Sequence, residues 1–256
     1  MAIRRLPAVD LAHLDAVARL QTRRDRKYLL PIADAVRLLE LLADDARVLT
    51  IGDMRSFRYR SVYLDTPDLS SYLAAARGRP SRWKVRVRSY VDTGGSVLEI
   101  KRRDRRGRTV KVRRVHPAGL GHRLDDAGRE FIAGCPEIAG QASSLRPVLQ
   151  TEYRRSTLLL TEGDRVTIDL GLCSTATDRS NVGLAGMAVV ETKSQGSPCL
   201  ADRLLWSLGH RQVRVSKYGT SLAALFPELP SNRWTRALQR PWMIAATVAA
   251  ANGPRR

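Results

Sequence analysis

Two short segments repeat one arrangement of charge: Leu98-Glu99-Ile100-Lys101 and Val190-Glu191-Thr192-Lys193. Each sits in a run that reads as a β-strand, where residues i and i+2 share a face, roughly 6–7 Å apart. Each segment therefore sets a carboxylate beside an ammonium. Other strand-like runs carry charge at the same alternate spacing: Lys84, Arg86 and Arg88; Lys111 and Arg113; Arg165 with Asp169; Arg214 with Ser216. Arginine forks match phosphate oxygens in geometry, and lysine adds a point charge. Held on rigid strands and partly removed from water, such residues would grip a triphosphate and stabilise the charge of phosphoryl transfer. A magnesium- or manganese-type ion prefers carboxylate oxygens together with phosphates. Glu191 and Glu99 are the candidate ligands, with Asp25 and Asp169 behind them.

A single alternating strand normally shows its polar face to water. Here the pattern recurs on several strands, and the intervening residues are apolar: Val85 and Val87, Leu98 and Ile100, Val166 and Ile168. An apolar outer face must be covered, so helices should pack outside the sheet and the charged face should become the concave one. An eight-stranded barrel has room for one small ligand.

The chain has 256 residues, 43% of them hydrophobic, enough for a buried core. It carries 44 Lys and Arg against 25 Asp and Glu, a net charge of +19, which points to a polyanionic partner. Aromatic residues are only 5%, and no basic strand interleaves Phe and Tyr, so single-stranded nucleic acid is disfavoured. Cys135, Cys173 and Cys199 lack metal-type spacing, and no His-Glu-x-x-His signature occurs. Neither a Walker-type loop nor a G-x-G-x-x-G motif is present, so side chains would have to hold any nucleotide phosphates. The N-terminus lacks the apolar core of a signal peptide. The longest apolar run, Trp242 to Ala251, falls short of the roughly 20 residues of a membrane span. A cytoplasmic protein is expected.

The elements that would position these charges follow from pattern and punctuation. Helical periodicity covers residues 7–19, and Arg23–Leu30 reads as a strand. Ile32–Ala46 is the clearest amphipathic helix. Strands are expected at Arg58–Leu64, Trp83–Val91, Ser96–Arg102 and Thr109–Val115, with a hairpin turn at residues 92–95 and a solvated basic turn at Arg102–Arg108. A short helix covers Leu69–Ala76, and residues 117–146 read as a helical insertion. Strands resume at Val148–Leu160, Arg165–Leu172 and Met187–Lys193, with a polar loop at 173–186. A helix through Leu200–Leu208, a strand at Arg211–Ser216 and a helix at Thr220–Leu225 follow. Residues 228–256 read as a tail of low order.

Seven segments occur in a telling order: Arg26-Lys27-Tyr28-Leu29-Leu30, Ser61-Val62-Tyr63-Leu64-Asp65-Thr66, Lys84 through Tyr90, Leu98-Glu99-Ile100-Lys101, Tyr153-Arg154-Arg155, Val190-Glu191-Thr192-Lys193 and Ser216-Lys217-Tyr218. Over about residues 20–226 the set resembles the VTC domain, the polyphosphate polymerase domain of the vacuolar transporter chaperone complex and its bacterial relatives. That domain belongs to the triphosphate tunnel metalloenzymes. The resemblance implies an α+β fold, an antiparallel eight-stranded β-barrel with helices outside. It implies a helical lead-in at 1–19, the tunnel domain at 20–226 and a C-terminal tail at 227–256. Lys27, Arg86, Arg88, Lys101, Arg155, Arg165, Lys193 and Lys217 match the family's phosphate-holding tunnel bases, and Glu191 its metal-binding glutamate. Of these, Lys27, Arg86, Arg88, Lys101 and Lys193 are expected to be catalytic. Arg155, Arg165 and Lys217, with Arg214, are expected to bind substrate phosphates.

Family polymerases move the terminal phosphate of ATP onto a polyphosphate chain with Mn2+ or Mg2+. Two departures stand out. The superfamily's opening E-x-E-x-K is here Arg23-x-Asp25-x-Lys27, so the first carboxylate is missing or shortened. Arg214 stands where a lysine is usual, three residues before Lys217. No counterpart of the eukaryotic complex's regulatory domain or membrane anchor is read in this sequence. A metal-dependent polyphosphate polymerase is the leading expectation. A triphosphatase of the same fold, which passes the phosphate to water, is the second. A non-catalytic polyanion-binding module is the third; the intact Glu191 argues against it and the altered first strand for it.

Overall fold

The computed structural model describes residues 2–17, 24–103 and 108–245. Arg23, residues 18–19 of the first expected helix, the centre of the basic turn and the apolar run past Ala245 lie outside the described residues. A 3-10 turn (Ala2–Arg5) precedes β1 (Ala8–Val9) and α1 (Leu11–Val17). Next come β2 (Arg24–Pro31), α2 (Ile32–Leu41), β3 (Ala46–Leu49), β4 (Phe57–Asp65) and α3 (Ser70–Ala76). The hairpins β5 (Arg82–Tyr90), β6 (Ser96–Arg103) and β7 (Thr109–His116) lead into the insertion that carries α4 (Asp126–Ala133). The long strands β8 (Arg146–Leu160) and β9 (Arg165–Ala176) are followed by β10 (Asn181–Leu184), β11 (Met187–Ser194), α5 (Leu200–Ser207), α6 (Lys217–Leu225), α7 (Thr235–Leu238) and β12 (Trp242–Ala245).

The twelve strands of the described residues all join one sheet. Its main path, β2-β11-β9-β8-β4-β5-β6-β7, is antiparallel at every step, the eight-stranded arrangement expected. Among the described residues no ladder joins β7 to β2, so the sheet forms an open-seamed tunnel. The apolar sides of β2, β9 and β11 pack under α2 and α5 through Tyr28, Leu30, Val166, Ile168 and Val190. Val85, Val87, Leu98 and Ile100 pack under α4 and the turn that follows it. Helices thus cover the outside, because period-two alternation leaves each of these strands one apolar face to bury.

Several local expectations fail for physical reasons. α2 ends at Leu41, and Ala46 instead opens β3, which pairs with the end of β8 and runs parallel to β1. The polar stretch 173–186 is no loop: β9 runs on to Ala176 and turns back as β10. Residues 211–216 form an extended segment outside any strand, tied to β2 by the Val213 amide donating to the Lys27 carbonyl at 2.8 Å. The stretch after residue 227 is ordered through Ala245, with β12 paired to β10. Trp234 is buried against Gly219 of α6, where an added Cβ would lie 2.3 Å from the indole. Finally, α6 packs on the concave side, with Tyr218 stacked on Tyr63 of β4 at 5.0 Å between ring centroids.

One buried hub locks β2 and β11 to α5. Asp202 is completely buried; it accepts from Arg26 at 3.2 Å, Tyr28 at 2.7 Å, Thr192 at 2.7 Å and the Cys199 amide at 3.0 Å. Removing one partner of a buried ion pair strands the other charge. Asp202→Ala should therefore cost about 3–5 kcal/mol in urea unfolding, and Asp202→Asn, which keeps the shape, less.

Candidate functional site

The ladders decide which charges meet. Lys27 of β2 stands opposite Glu191 of β11, and Asp25 opposite Lys193. Glu191 and Lys193 stand in turn opposite Thr167 and Arg165 of β9. Asp169 of β9 faces Arg155 of β8. On the other wing, Arg86 of β5 lies between Tyr63 of β4 and Glu99 of β6, and Arg88 lies beside Ser61. Lys101 of β6 stands between Lys84 and Lys111. Each link preserves the face, so the expected bases Lys27, Arg86, Arg88, Lys101, Arg155, Arg165 and Lys193 share the concave side. Lys217 reaches the same side from the first turn of α6, where it pairs with Asp169. Arg214 does not join them: it is exposed on the 210–216 segment, with no ion pair among the described residues.

Two acids organise the arginines. Glu99, only 2% exposed, accepts from Arg86 at 2.6 Å, lies 3.8 Å from Arg88 and pairs with Lys111. Burial pushes this carboxyl up, but Arg86, Arg88 and Lys111 outweigh it and hold it at about 2. Asp169, only 1% exposed, takes a two-pronged contact from Arg155 at 2.6 and 2.7 Å. Burial again opposes ionisation, and Arg155 and Lys217 again overcome it, holding Asp169 well below the usual carboxylate range. Tyrosines frame the forks: Arg86 donates to the Tyr63 hydroxyl and Arg88 to that of Tyr153, each at 3.2 Å. Arg155 lies 5.3 Å from the ring centroids of both Tyr59 and Tyr153.

The lysines are less well balanced. Burial lowers the Lys27 ammonium below its ordinary value, while Asp25 pulls it back. Lys84 is pushed down to about 7 by burial and by Lys27, Lys101, Arg86 and Arg82 around it. Its Nζ donates to the Ser216 hydroxyl at 2.8 Å, and that hydroxyl also caps α6 by accepting from the Gly219 amide at 3.0 Å. Lys84 thus ties β5 to the helix that carries Lys217. Lys84 and Lys111 belong to the alternating rows visible in the sequence, yet neither is among the tunnel bases that the family resemblance implied. Nothing in the sequence pairs Lys84 with Ser216, which lies 132 residues away.

The carboxylates divide by role. Glu191 contacts the Lys193 ammonium, and Asp25 lies 3.7 Å from the same nitrogen. Two carboxylates converging on one cation are a donor set suited to a hard divalent ion that completes its shell with phosphate oxygens and water. Thr167, opposite Glu191, adds a buried hydroxyl with no hydrogen-bond partner among the described residues. Asp25 thus stands close to Glu191 on the strand whose opening motif is altered. Glu99, the other expected ligand, is instead engaged by three bases. Among the described residues no three His, Cys, Asp or Glu side chains cluster as a protein-only metal cage.

Fold and site together define a tunnel-type protein with a basic interior. A model of the VTC domain matches residues 22–226, and the chain belongs to that family. Among solved structures, a candidate adenylyl cyclase from Hippeastrum, described as having a dominant triphosphatase activity, shares the fold. Its TM-score is 0.54 at 14% identity, covering 86% of this chain and all (100%) of that one. A candidate adenylate cyclase from Bacillus halodurans matches with a TM-score of 0.49 at 15% identity, covering 75% of this chain and 92% of that one. No curated protein matches the chain. No helix among the described residues is long and apolar enough to cross a membrane.

Lys84 gives the site a pH signature. Its value falls from 10.5 to about 7 on folding. Below about 7 both states hold the proton and the cost of burying the charge is fully present. Between 7 and 10.5 the unfolded chain holds more protons, so unliganded stability rises with pH through this window. Bound phosphate favours the charged amine and reverses the shift. Calorimetry of tripolyphosphate binding at a pH about one unit above the Lys84 value should show proton uptake, read from the dependence of the enthalpy on buffer. Lys84→Gln should lose most of that uptake. Equal uptake in the variant would place the titrating group elsewhere.

Proposed function

We propose that the chain is a metal-dependent phosphotransferase of the polyphosphate polymerase type, which moves the terminal phosphate of ATP or another triphosphate onto inorganic polyphosphate. The observation that carries this reading is the convergence of Lys27, Arg86, Arg88, Lys101 and Lys193 on one face, beside the Glu191–Asp25 pair. In the reaction, a terminal oxygen of the acceptor chain attacks the γ-phosphorus. One P–O bond forms, the bond to ADP breaks, and ADP leaves with its electron pair. The attacking oxygen is already anionic, so the protein needs no strong base and acts by positioning and charge.

Lys27, Lys101 and Lys193 neutralise the donor phosphates, and Arg86 and Arg88 fork onto the equatorial oxygens. Arg155, Arg165 and Lys217 hold the remaining phosphates, while Arg214 lies outside this set. Glu99 and Asp169 act by positioning the guanidinium groups. Glu191 and Asp25 would hold Mn2+ or Mg2+, which when bound neutralises phosphate oxygens.

A triphosphatase activity is the second reading. One observation favours it: the likeness to the Hippeastrum protein, described as having a dominant triphosphatase activity. The two readings share the same bases and differ in the acceptor. ATP with manganese should yield long polymer, resolved by gel, under the first and free phosphate alone under the second.

Glu191→Gln keeps the size of the side chain and removes the charge that a hard cation requires. Metal-dependent turnover should fall about 100-fold or more. Metal-free tripolyphosphate binding should stay level or tighten, because a negative charge has left the site. Lys193→Ala should weaken that binding. Wild-type turnover in Glu191→Gln would leave Glu191 as a structural partner of Lys193 and move the metal to another carboxylate.

A further inference from the structure

The row of bases on β5 continues past the site described above. Arg88, Arg86 and Lys84 are followed, at the same parity, by Arg82, whose partner on β6 is Arg103. The intervening Trp83, Val85 and Val87 turn the other way into the outer core. From Arg88 to Arg82 the strand rises roughly 20 Å. That row is longer than three phosphates linked through shared oxygens can occupy.

The two ends of the row differ in how their charge is met. The inner arginines sit on Glu99. At the outer end, Arg82 and Arg233 have no carboxylate partner among the described residues. Arg82 is half-buried, and its guanidinium is held by donating to the Arg79 carbonyl at 2.8 Å. Burial and then the charges of Arg103 and Arg233 lower its hold on its proton. Arg233 comes from the 3-10 turn Asn232–Trp234, beyond the region that the family model covers. The neighbouring Trp234 anchors that turn on α6, and the Arg233 guanidinium lies across Gly78. A Cβ at Gly78, whose φ is +70°, would meet Arg233 Nη1 at 2.5 Å. Two half-buried guanidinium groups are therefore positioned by backbone and packing, with like charge around them, an arrangement that an anion relieves.

We propose that Arg82, Arg103 and Arg233 form a subsite at the Lys84 end of the tunnel that holds the phosphates of linear inorganic polyphosphate beyond the third. The proposal rests on the phosphate-binding reading of the same face and extends it to chain length. Single-stranded nucleic acid fits less well, because the aromatic side chains adjoining this rim, Trp83 and Trp234, are buried and offer no stacking surface.

The test compares wild type with the Arg82→Gln/Arg233→Gln double variant by calorimetry, using tripolyphosphate and a long-chain polyphosphate. The variant should bind the long chain about tenfold more weakly at low salt, with its salt slope reduced by about 1.4, or about 0.7 for each lost contact. Tripolyphosphate affinity should stay within about twofold. The Arg82→Lys/Arg233→Lys pair, which keeps the charge, should recover most of the long-chain affinity. Equal losses for both ligands, no loss for either, or no recovery in the lysine pair would overturn the subsite.

Other outcomes separate the two readings. If wild type binds the long chain through these arginines but not tripolyphosphate, the tunnel reading fails and the subsite stands. If wild type binds tripolyphosphate but not the long chain, the subsite fails alone. Oligodeoxythymidylate of equal charge that binds more tightly, with the same loss in the variant, would overturn the ligand class.

Discussion

The structure depends on keeping many positive charges on one concave face without unfolding. Glu99 and Asp169 make this possible. Each is buried where a lone carboxylate would take up a proton, and each stays charged because several bases surround it. The acids sit on opposite wings of the sheet: Glu99 gathers Arg86, Arg88 and Lys111, and Asp169 gathers Arg155 and Lys217. Pairing of this kind contributes little net stability, since desolvation offsets much of the Coulomb gain. What it secures is the direction of the forks. Their outer faces are aimed before any phosphate arrives, so less reorganisation is needed at binding.

Between these wings the compensation is incomplete. Lys27 and Lys84 are half-buried near each other and near other bases, and both hold their protons less firmly than an ordinary lysine. The tyrosines soften this imbalance. Tyr59 and Tyr153 stack at 5.6 Å between centroids and turn their faces to Arg88, Arg155 and Lys217. A ring face attracts a cation without adding a competing charge. The unliganded face is thus tense where phosphate would sit and settled where the arginines are anchored. The stability of the fold and the affinity for an anion are linked through the same residues.

The C-terminal elements also shape the site. α6 lies on the concave side, stacks Tyr218 on Tyr63 and brings Ser216 to Lys84 and Lys217 to Asp169. It occupies part of the curved space with apolar contacts and leaves the basic part to the ligand. Trp234 holds this helix in place through its contact with Gly219, which is why the chain after residue 227 belongs to the fold. Of the acids in the first strand's motif Asp25 remains, set opposite Lys193 by the ladder between β2 and β11 and so brought beside Glu191.

The alternation on β5, β6, β9 and β11 was legible in the sequence, because a strand's period of two is local and each residue's face follows from its neighbours. So were the outer position of the helices that cover the apolar faces, and the common face on which most of the expected bases lie. The family likeness supplied the strand count. Other features were not legible. β3, β10 and β12 are four residues each and exist only through partners elsewhere in the chain. The 211–216 segment carries strand-like alternation yet makes no ladder, so Arg214 is left exposed while Lys217 is carried inward by a helix. Which acid serves which base was equally hidden. Glu99 and Glu191 sit in look-alike segments, but one lies among three bases and the other beside Asp25 and Lys193. That difference comes from register and curvature between strands far apart in sequence. By itself the sequence determined the kind of charge and the face on which each strand presents it; only the tertiary structure decided which charges cancel and which remain for a ligand, because electrostatic compensation depends on distance and burial across the whole sheet.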